Sequence, residues 1–428
     1  MTVMIARRMN RRQFLKSAGA LAAASFPLPA LAQGGGGRVV VIGGGFAGTT
    51  FARTLKRIDP RFTVTLVEAS LTYAACPFSN AVIAGLRDFK SQQFDYEKVA
   101  KDQIVVSVAP ATAIDAQARV VTQSNGARLL YDRLVLAPGI DLRWDALPGY
   151  GESAVARMPH AWKAGEQTLL LRRQLEAMED GGLVVIAAPA EPYSAPAAPY
   201  ERASLIAHYL KIKKPKSKLL LLDAKDSFAK QPLFQNAWQA LYPGIIEWVP
   251  LSKGGKVTSV DPAGMLLHTD AGKHKAVVAN VIPPQRAGRI AERAGVTDPT
   301  GWCPVDPLTF ESRLRPNIHV IGDAAMTDAM SKSAFAANGQ AKVCAAAVAR
   351  LLGGSTPPDA KLIEASYSLV APDYAISSVS VYQPSNGQWA EVEGAGGMSP
   401  LDAPAATRAL EANFAEGWFT TITEEVFG

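Results

Sequence analysis

Short apolar runs along the chain alternate with glycine- or proline-rich turns and with segments of helical spacing. "RVVVI", Arg38–Ile42, has the length and continuity of a buried strand, and "GGGFAGTT" follows it. A helix is expected from about Phe46 to Lys56, with Phe46, Thr49, Thr50 and Ala52 as its small or apolar packing positions. A second strand, Thr63–Val67, runs into Glu68. Two further apolar runs end in turn residues: "YDRLVLAPGIDLR" (131–143) in Ala137-Pro138-Gly139, and "NIHVIGDAAM" (317–326) in Gly322-Asp323. Between them "GGLVVIAAP", "YERASLIAHYLKIK" and "SKLLLLDAKD" repeat the strand–helix–strand rhythm, with Ala203, Ile206, Ala207 and Leu210 on one helical face. From about residue 357 the texture changes. "YAISSVSVYQPSNGQW" is rich in Val, Tyr and Ser, and Pro384-Ser385-Asn386-Gly387 reads as a hairpin turn.

The first strand–turn–helix carries chemistry. Gly43, Gly45 and Gly48 form G-x-G-x-x-G, and Glu68 lies 20 residues beyond Gly48. Gly43 permits the tight turn, Gly45 lets the backbone approach a pyrophosphate, and Gly48 allows close helix–strand contact. The helix N-terminus presents free N–H groups to phosphate, and Glu68 can accept from ribose hydroxyls. The motif alone is weak, but strand, loop, helix, strand and acid in this order point to a dinucleotide site.

The segments ending in Ala137-Pro138-Gly139 and Gly322-Asp323 resemble the second and third flavin fingerprints of flavoproteins with two dinucleotide-binding domains. That resemblance implies FAD, with Asp323 bonding the ribityl chain and the following helix directing its N-terminus at the isoalloxazine. The alternative for Asp323 is an ordinary helix N-cap. The implied fold is α/β with two Rossmann-type (disulfide-reductase-like) domains, the first discontinuous. The FAD domain spans 38–146 and 281–356, the second Rossmann-like domain 147–280, and a C-terminal α+β interface region 357–428. The second domain lacks its fingerprint. Residues 188–199, "APAEPYSAPAAP", contain no glycine, and Cβ atoms and prolines deny a phosphate its close approach and its N–H donors. NAD(P)H binding there is not expected.

With 428 residues, 48% of them hydrophobic, the chain can bury two or three cores. The formal charge of +6 is misleading, because Arg7, Arg8, Arg11, Arg12 and Lys16 lie in the first 32 residues with no acid among them. The remainder is nearly neutral and makes no case for nucleic acid or an anionic membrane. Arg11-Arg12 followed by Phe14-Leu15-Lys16, the apolar stretch Ala18–Phe26 and Ala30-Leu31-Ala32 read as a twin-arginine signal peptide over 1–32. Its apolar run is well short of the ~20 residues a membrane span needs. The expected location is periplasmic, with no membrane span after signal removal.

The cysteines, Cys76, Cys303 and Cys344, form no C-x-x-C, so neither a zinc site nor covalent haem is expected. "TYAACPFSNAVIAG" (72–85), "APYERASLIAHYLK" (198–211), "NVIPPQRAGRIAERAG" (280–295), "GWCPVDPLTFES" (301–312), "IHVIGDA" (318–324) and "GWFTTITEEVFG" (417–428) resemble the flavoprotein subunit of flavocytochrome c sulfide dehydrogenase. The resemblance runs from the export signal to the last residue. It implies a periplasmic flavoprotein that pairs with a c-type cytochrome and passes electrons from sulfide to haem. It also implies FAD tethered covalently through a cysteine matching Cys76. The alternative for Cys76 is a small buried core thiol.

The family also carries a redox-active disulfide over the flavin. The matching positions here are Ala195 and Ser366. Alanine cannot accept sulfur and serine cannot close a disulfide, so the donor is sulfide attacking the flavin directly or another small reductant. The alternative is an electron-transfer or assembly subunit without its own sulfide chemistry. Cys344, in the Ala-rich "GQAKVCAAAVARLL", reads as packing; Cys303, between Trp302 and Pro304, is open. Glu201 and Arg202 are candidates for a general base or a partner for a substrate anion, against first-turn charges with intrahelical partners. Lys332 is a candidate cation beside the flavin's N1–C2=O edge, against a solvated lysine. His208, Trp418 and Phe419 each admit a site or a packing role.

Overall fold

A computed structural model describes residues 36–428; the export segment expected over 1–32 lies outside the described residues. Two parallel sheets organise the chain. The first is built from β1 (Arg38–Ile42), β2 (Thr63–Glu68), β3 (Val105–Val108), β4 (Arg133–Leu136) and a late strand, Ile318–Val320. Its spatial order is Ile318–Val320, β4, β1, β2, β3, all parallel. Val39–Val41, Leu66 and Leu134–Leu136 are almost completely buried, as parallel strands covered on both faces must be. The helix α1 (Phe46–Ile58) covers one face of this sheet.

The second sheet comprises β5 (Leu183–Ala188), β6 (Lys218–Asp223), β7 (Ile246–Val249) and β8 (Val278–Val281), in the order β7, β6, β5, β8, all parallel. The helix α2 (Ala198–Lys213) follows β5, with Pro199 in its first turn. The chain then returns through β9 (Ile318–Val320) to the first sheet and enters α3 (Ala334–Leu352), which packs on α1. The first sheet is therefore discontinuous in sequence, as the resemblance to flavoproteins with two dinucleotide-binding domains implies.

The C-terminal part pairs β10 (Leu362–Ala371), β11 (Tyr374–Ser385) and β12 (Gln388–Glu391) antiparallel. Asn386 and Gly387 both have positive φ (51° and 78°), which matches the right-handed twist of a tight hairpin. A long helix, α4 (Ala405–Phe427), closes the chain and packs against β11. Arg53 on α1 fastens its end, donating from Nη1 to the carbonyls of Glu425 (2.9 Å) and Gly428 (2.8 Å). No described helix is long and apolar enough to cross a membrane.

At the carboxyl end of the second sheet, side chains crowd the acid that ends β6. Asp223 ends β6 with no exposed surface. It accepts from Tyr200 Oη (2.6 Å) and Trp248 Nε1 (3.1 Å) and pairs with Lys225 Nζ (2.6 Å), which also donates to Pro189 O. The Tyr200 ring stacks on Phe228 at 3.6 Å. Removing Asp223 would strand a buried ammonium and two buried donors. Asp223→Ala should therefore lose about 3–5 kcal/mol of stability in denaturant unfolding, a loss far above that of an ordinary surface substitution.

Candidate functional site

A cavity of 850 Å³ opens at the carboxyl end of the first sheet, bounded by the turn after β5, by β10 and by α4. Gly43, Gly45, Glu68, Cys76, Ala137, Gly139, Gly322 and Asp323 all line it, and so do Glu201, Lys332, Ala195 and Ser366. Gly48 lies beneath the loop. These positions come from sequence segments as distant as residues 43 and 366, and the fold brings them to one space.

The glycine loop shows why its residues are glycines. Gly43 has φ 104°, and a Cβ there would sit 2.2 Å from Ala137 O. A Cβ on Gly48 would lie 1.9 Å from Gly43 O, so the helix can approach the strand only without one. Glu68 Oε2 accepts from Gly44 N (2.5 Å), and Gly44 O accepts from Thr49 Oγ1 (2.8 Å) and Tyr96 Oη (3.0 Å). Tyr96 escaped the sequence reading, because nothing local marks a tyrosine 52 residues away as a brace for this loop. The first-turn amides of α1 are left facing the cavity with the partial positive charge of a helix N-terminus.

On the opposite wall, Asp323 sits in a single turn, Gly322–Ala324, just after β9. It does not cap α3. Ser333 does, accepting from Ala336 N (3.1 Å), and Ser333 is itself held by Glu364 (2.8 Å). The Asp323 carboxylate has no hydrogen-bond partner among the described residues and borders the cavity; burial raises its pKa, and Lys332 opposes that shift. Lys332 is not the solvated lysine weighed from sequence. Its Nζ donates to Ala325 O (2.6 Å) and lies 4.2 Å over the Trp302 ring. Burial pushes its ammonium down to about 8, against the fields of Asp323 and Cys303.

The turn after β5 supplies the third wall. Glu201 and Arg202 have no intrahelical partners, contrary to the bland reading of a helix first turn. Glu201 Oε2 accepts from Asn80 Nδ2 (2.7 Å) and Oε1 from Leu369 N (2.8 Å), and burial raises its pKa. Arg202, 2% exposed, donates to Asn80 Oδ1 (2.9 Å), His160 O (3.1 Å), Asn280 Oδ1 (2.8 Å) and Ala161 O (2.6 Å). Its guanidinium lies 5.3 Å over the Trp162 ring. Cys76 faces the cavity, open to it yet ringed by protein, with Sγ 3.8 Å from Trp162 O. Burial raises the thiol pKa, while a hydrogen bond from Ala164 and the charges of Lys163 and Arg202 lower it. Cys76 is thus not a packed core thiol.

Ala195 adopts a left-handed backbone (φ 49°), and its N–H donates to Lys332 O (2.7 Å), which joins two walls of the cavity. Ser366, on β10, accepts from Lys230 Nζ (3.0 Å). Cys303 and Cys344 are fully buried and line no part of the cavity; burial pushes the Cys303 thiol up to about 12. His208 lies away from the cavity. Trp418 borders it and stacks on Phe335, whereas Phe419 is core, packed on Phe78. No group of three or more potential metal ligands occurs among the described residues.

The residues fit FAD. A side-chain-free loop and free helix-terminal amides suit a pyrophosphate, the Glu68 carboxylate suits ribose hydroxyls, and the unpartnered Asp323 carboxylate suits the ribityl chain.

Comparisons with known proteins agree with this site. The family model "Sulfide dehydrogenase [flavocytochrome c] flavoprotein chain, central" matches residues 168–283. "Flavocytochrome c sulphide dehydrogenase, flavin-binding" matches 358–427, and "Pyridine nucleotide-disulphide oxidoreductase" matches 37–176. A twin-arginine translocation signal model matches residues 8–26, in agreement with export to the periplasm. The sulfide dehydrogenase [flavocytochrome c] flavoprotein chain of Chlorobaculum thiosulfatiphilum is 56% identical over 45 residues, which are 10% of this chain and 94% of that one. The mitochondrial sulfide:quinone oxidoreductase of Mus musculus is 22% identical over 307 residues, 67% of this chain and 65% of that protein. The structure of the sulfide:quinone oxidoreductase from Aquifex aeolicus shares the fold, with a TM-score of 0.71 and 18% identity over 91% of this chain and 92% of its own. The chain belongs to the family of sulfide dehydrogenase [flavocytochrome c] flavoprotein chains, within the flavin-dependent pyridine nucleotide-disulphide oxidoreductases.

Proposed function

We propose that this chain is a periplasmic FAD-dependent oxidoreductase that takes electrons from sulfide, or a related small reductant, and delivers them to a c-type cytochrome subunit. The observation that carries the reading is the single cavity holding the flavin-binding segments, the Cys76 thiol, Glu201 and Lys332 together. The side chains that crowd Asp223 support a reductant other than NAD(P)H. We assign 38–146 and 281–356 to the FAD domain, 147–280 to the second domain and 357–428 to the region that covers the flavin and meets the cytochrome.

FAD, when bound, accepts an electron pair and releases electrons singly. Gly43, Gly45 and the first turn of α1 would hold its pyrophosphate, with Gly48 keeping the loop close, and Glu68 its ribose. Ala137 and Gly139 would leave room beside the ring, while Gly322 and Asp323 would hold the ribityl chain. Cys76, whose thiol borders the same cavity, would tether it. Hydrosulfide loses two electrons and a proton to become zero-valent sulfur, and Glu201 is the candidate acceptor for that proton. Its raised pKa brings a carboxylate toward the range useful to a base near neutrality. Ala195 and Ser366 offer no sulfur to attack, so this chain's residues bind and orient the reductant rather than carry a persulfide.

The same two residues favour a second reading, an electron-transfer or assembly subunit without its own sulfide chemistry. Anaerobic stopped-flow mixing of the flavin-loaded protein with sulfide separates the two. The first reading expects rapid bleaching of the flavin with no protein persulfide; an unbleached flavin at millimolar sulfide leaves only the second.

Acid precipitation tests the tether. The wild-type pellet should stay yellow, and Cys76→Ala should release its flavin to the supernatant. Yellow supernatant from the wild type removes the tether from the proposal.

Lys332 is charged below about pH 8, the pH at which its ammonium gives up its proton. A cation beside the ring stabilises the anionic reduced flavin. Lys332→Met should therefore lower the flavin midpoint potential below pH 8 and leave it nearly unchanged well above, as read by redox titration at both pH values.

A further inference from the structure

Ser366 projects into the cavity from β10. Behind it stands Lys230, 6% exposed, which precedes the helix Gln231–Leu241. Its Nζ donates to Ser366 O (3.1 Å) and Ser366 Oγ (3.0 Å). The acids whose fields reach this ammonium are Glu201, Glu364 and Glu411. Each is engaged elsewhere: Glu201 with Asn80 and Leu369 N, Glu364 with Ser331 and Ser333, Glu411 with Ser377, Ser399 and Arg408. None forms an ion pair with Lys230, so a buried cation is left without a neutralising partner.

The direction of the hydrogen bond then sets the polarity of the serine. An ammonium only donates, so Ser366 Oγ is the acceptor and its own O–H must point elsewhere. No acceptor for that O–H exists among the described residues, and the group borders the cavity. A hydroxyl polarised by a cation and free to donate is a ready partner for an anion. A thiol at the same place is a weak donor. The serine thus exchanges a group that reacts with sulfur for one that binds a negative charge.

We propose that Ser366 and Lys230 form a binding site for a small monovalent anion inside the cavity, with Ser366 Oγ–H as the donor and Lys230 as its positioning residue. Under the proposed function that anion is hydrosulfide, and only this identification rests on that reading. Burial pushes the Lys230 ammonium down to about 8, which leaves it charged at neutral pH.

Azide, a small monovalent anion, tests the site in the oxidised, flavin-loaded protein, with the flavin absorbance as readout. The wild type should show a saturable spectral shift. Ser366→Ala and Lys230→Met should each weaken azide by about tenfold or more, the effect of one hydrogen bond to a charged group. Ser366→Thr retains the hydroxyl and should retain the affinity. With sulfide, the same losses should appear in KM more than in kcat. Should Lys230→Met fail to fold, Ser366→Ala decides alone. A wild type without a saturable shift, or variants that bind azide as the wild type does, overturns the site. Azide binding with the expected variant pattern but no reduction by sulfide upholds the anion site and sinks the sulfide assignment. Reduction by sulfide with unchanged azide affinities does the reverse.

Discussion

Arg202 is the residue on which the geometry of the cavity depends. Its guanidinium is buried, so its N–H groups need acceptors inside the protein. Four hydrogen bonds reach Asn80, from the segment between β2 and β3, Asn280 on β8 of the second sheet, and the carbonyls of His160 and Ala161 ahead of β5. One side chain thereby links segments that belong to the two sheets. The same network sets the neighbourhood of Cys76, because Trp162 lies under the guanidinium and its carbonyl faces the thiol. Burial pushes the Arg202 guanidinium down only to about 10, so it stays a cation while doing this.

Around that anchor, charge is arranged by what remains unpaired. Among the described residues Asp323 has no hydrogen-bond partner and faces the cavity, and Lys332 and Lys230 have only neutral ones. Other buried charges are ion-paired, as Asp223 with Lys225 and Arg408 with Glu411. Titratable groups that border a cavity without such a pair mark it as a candidate site. At the end of β6, Tyr200, Trp248 and Lys225 satisfy Asp223, and Phe228 stacks on Tyr200.

The C-terminal unit is part of the site rather than an appendage. β10 supplies Ser366 to the cavity and offers the amide of Leu369 to Glu201, and Glu364 on the same strand holds the serine that caps α3. α4 adds Trp418, and Arg53 pins its end to α1. The C-terminal segment therefore supplies one wall of the cavity.

Local backbone chemistry was legible in the sequence. Gly48 is required by a contact only five residues away, whereas the approach of Gly43 to Ala137 O had to await the fold; the apolar runs read as strands, and Asn386-Gly387 as a hairpin turn. The sequence also named Cys76, Glu201 and Lys332, but left each with an alternative: a core thiol, a first-turn charge with an intrahelical partner, and a solvated lysine. That choice depended on residues far away in the chain: Asn80 for Glu201, Trp302 for Lys332, Lys230 for Ser366. Hydrogen-bond partners 121 to 136 positions apart leave no periodicity to read. Tyr96 and Lys230 were invisible for the same reason. Short-range sterics wrote much of the fold into the sequence, whereas desolvation, which exists only once the chain has closed around a group, shifts the pKa values of Glu201, Lys332 and Lys230.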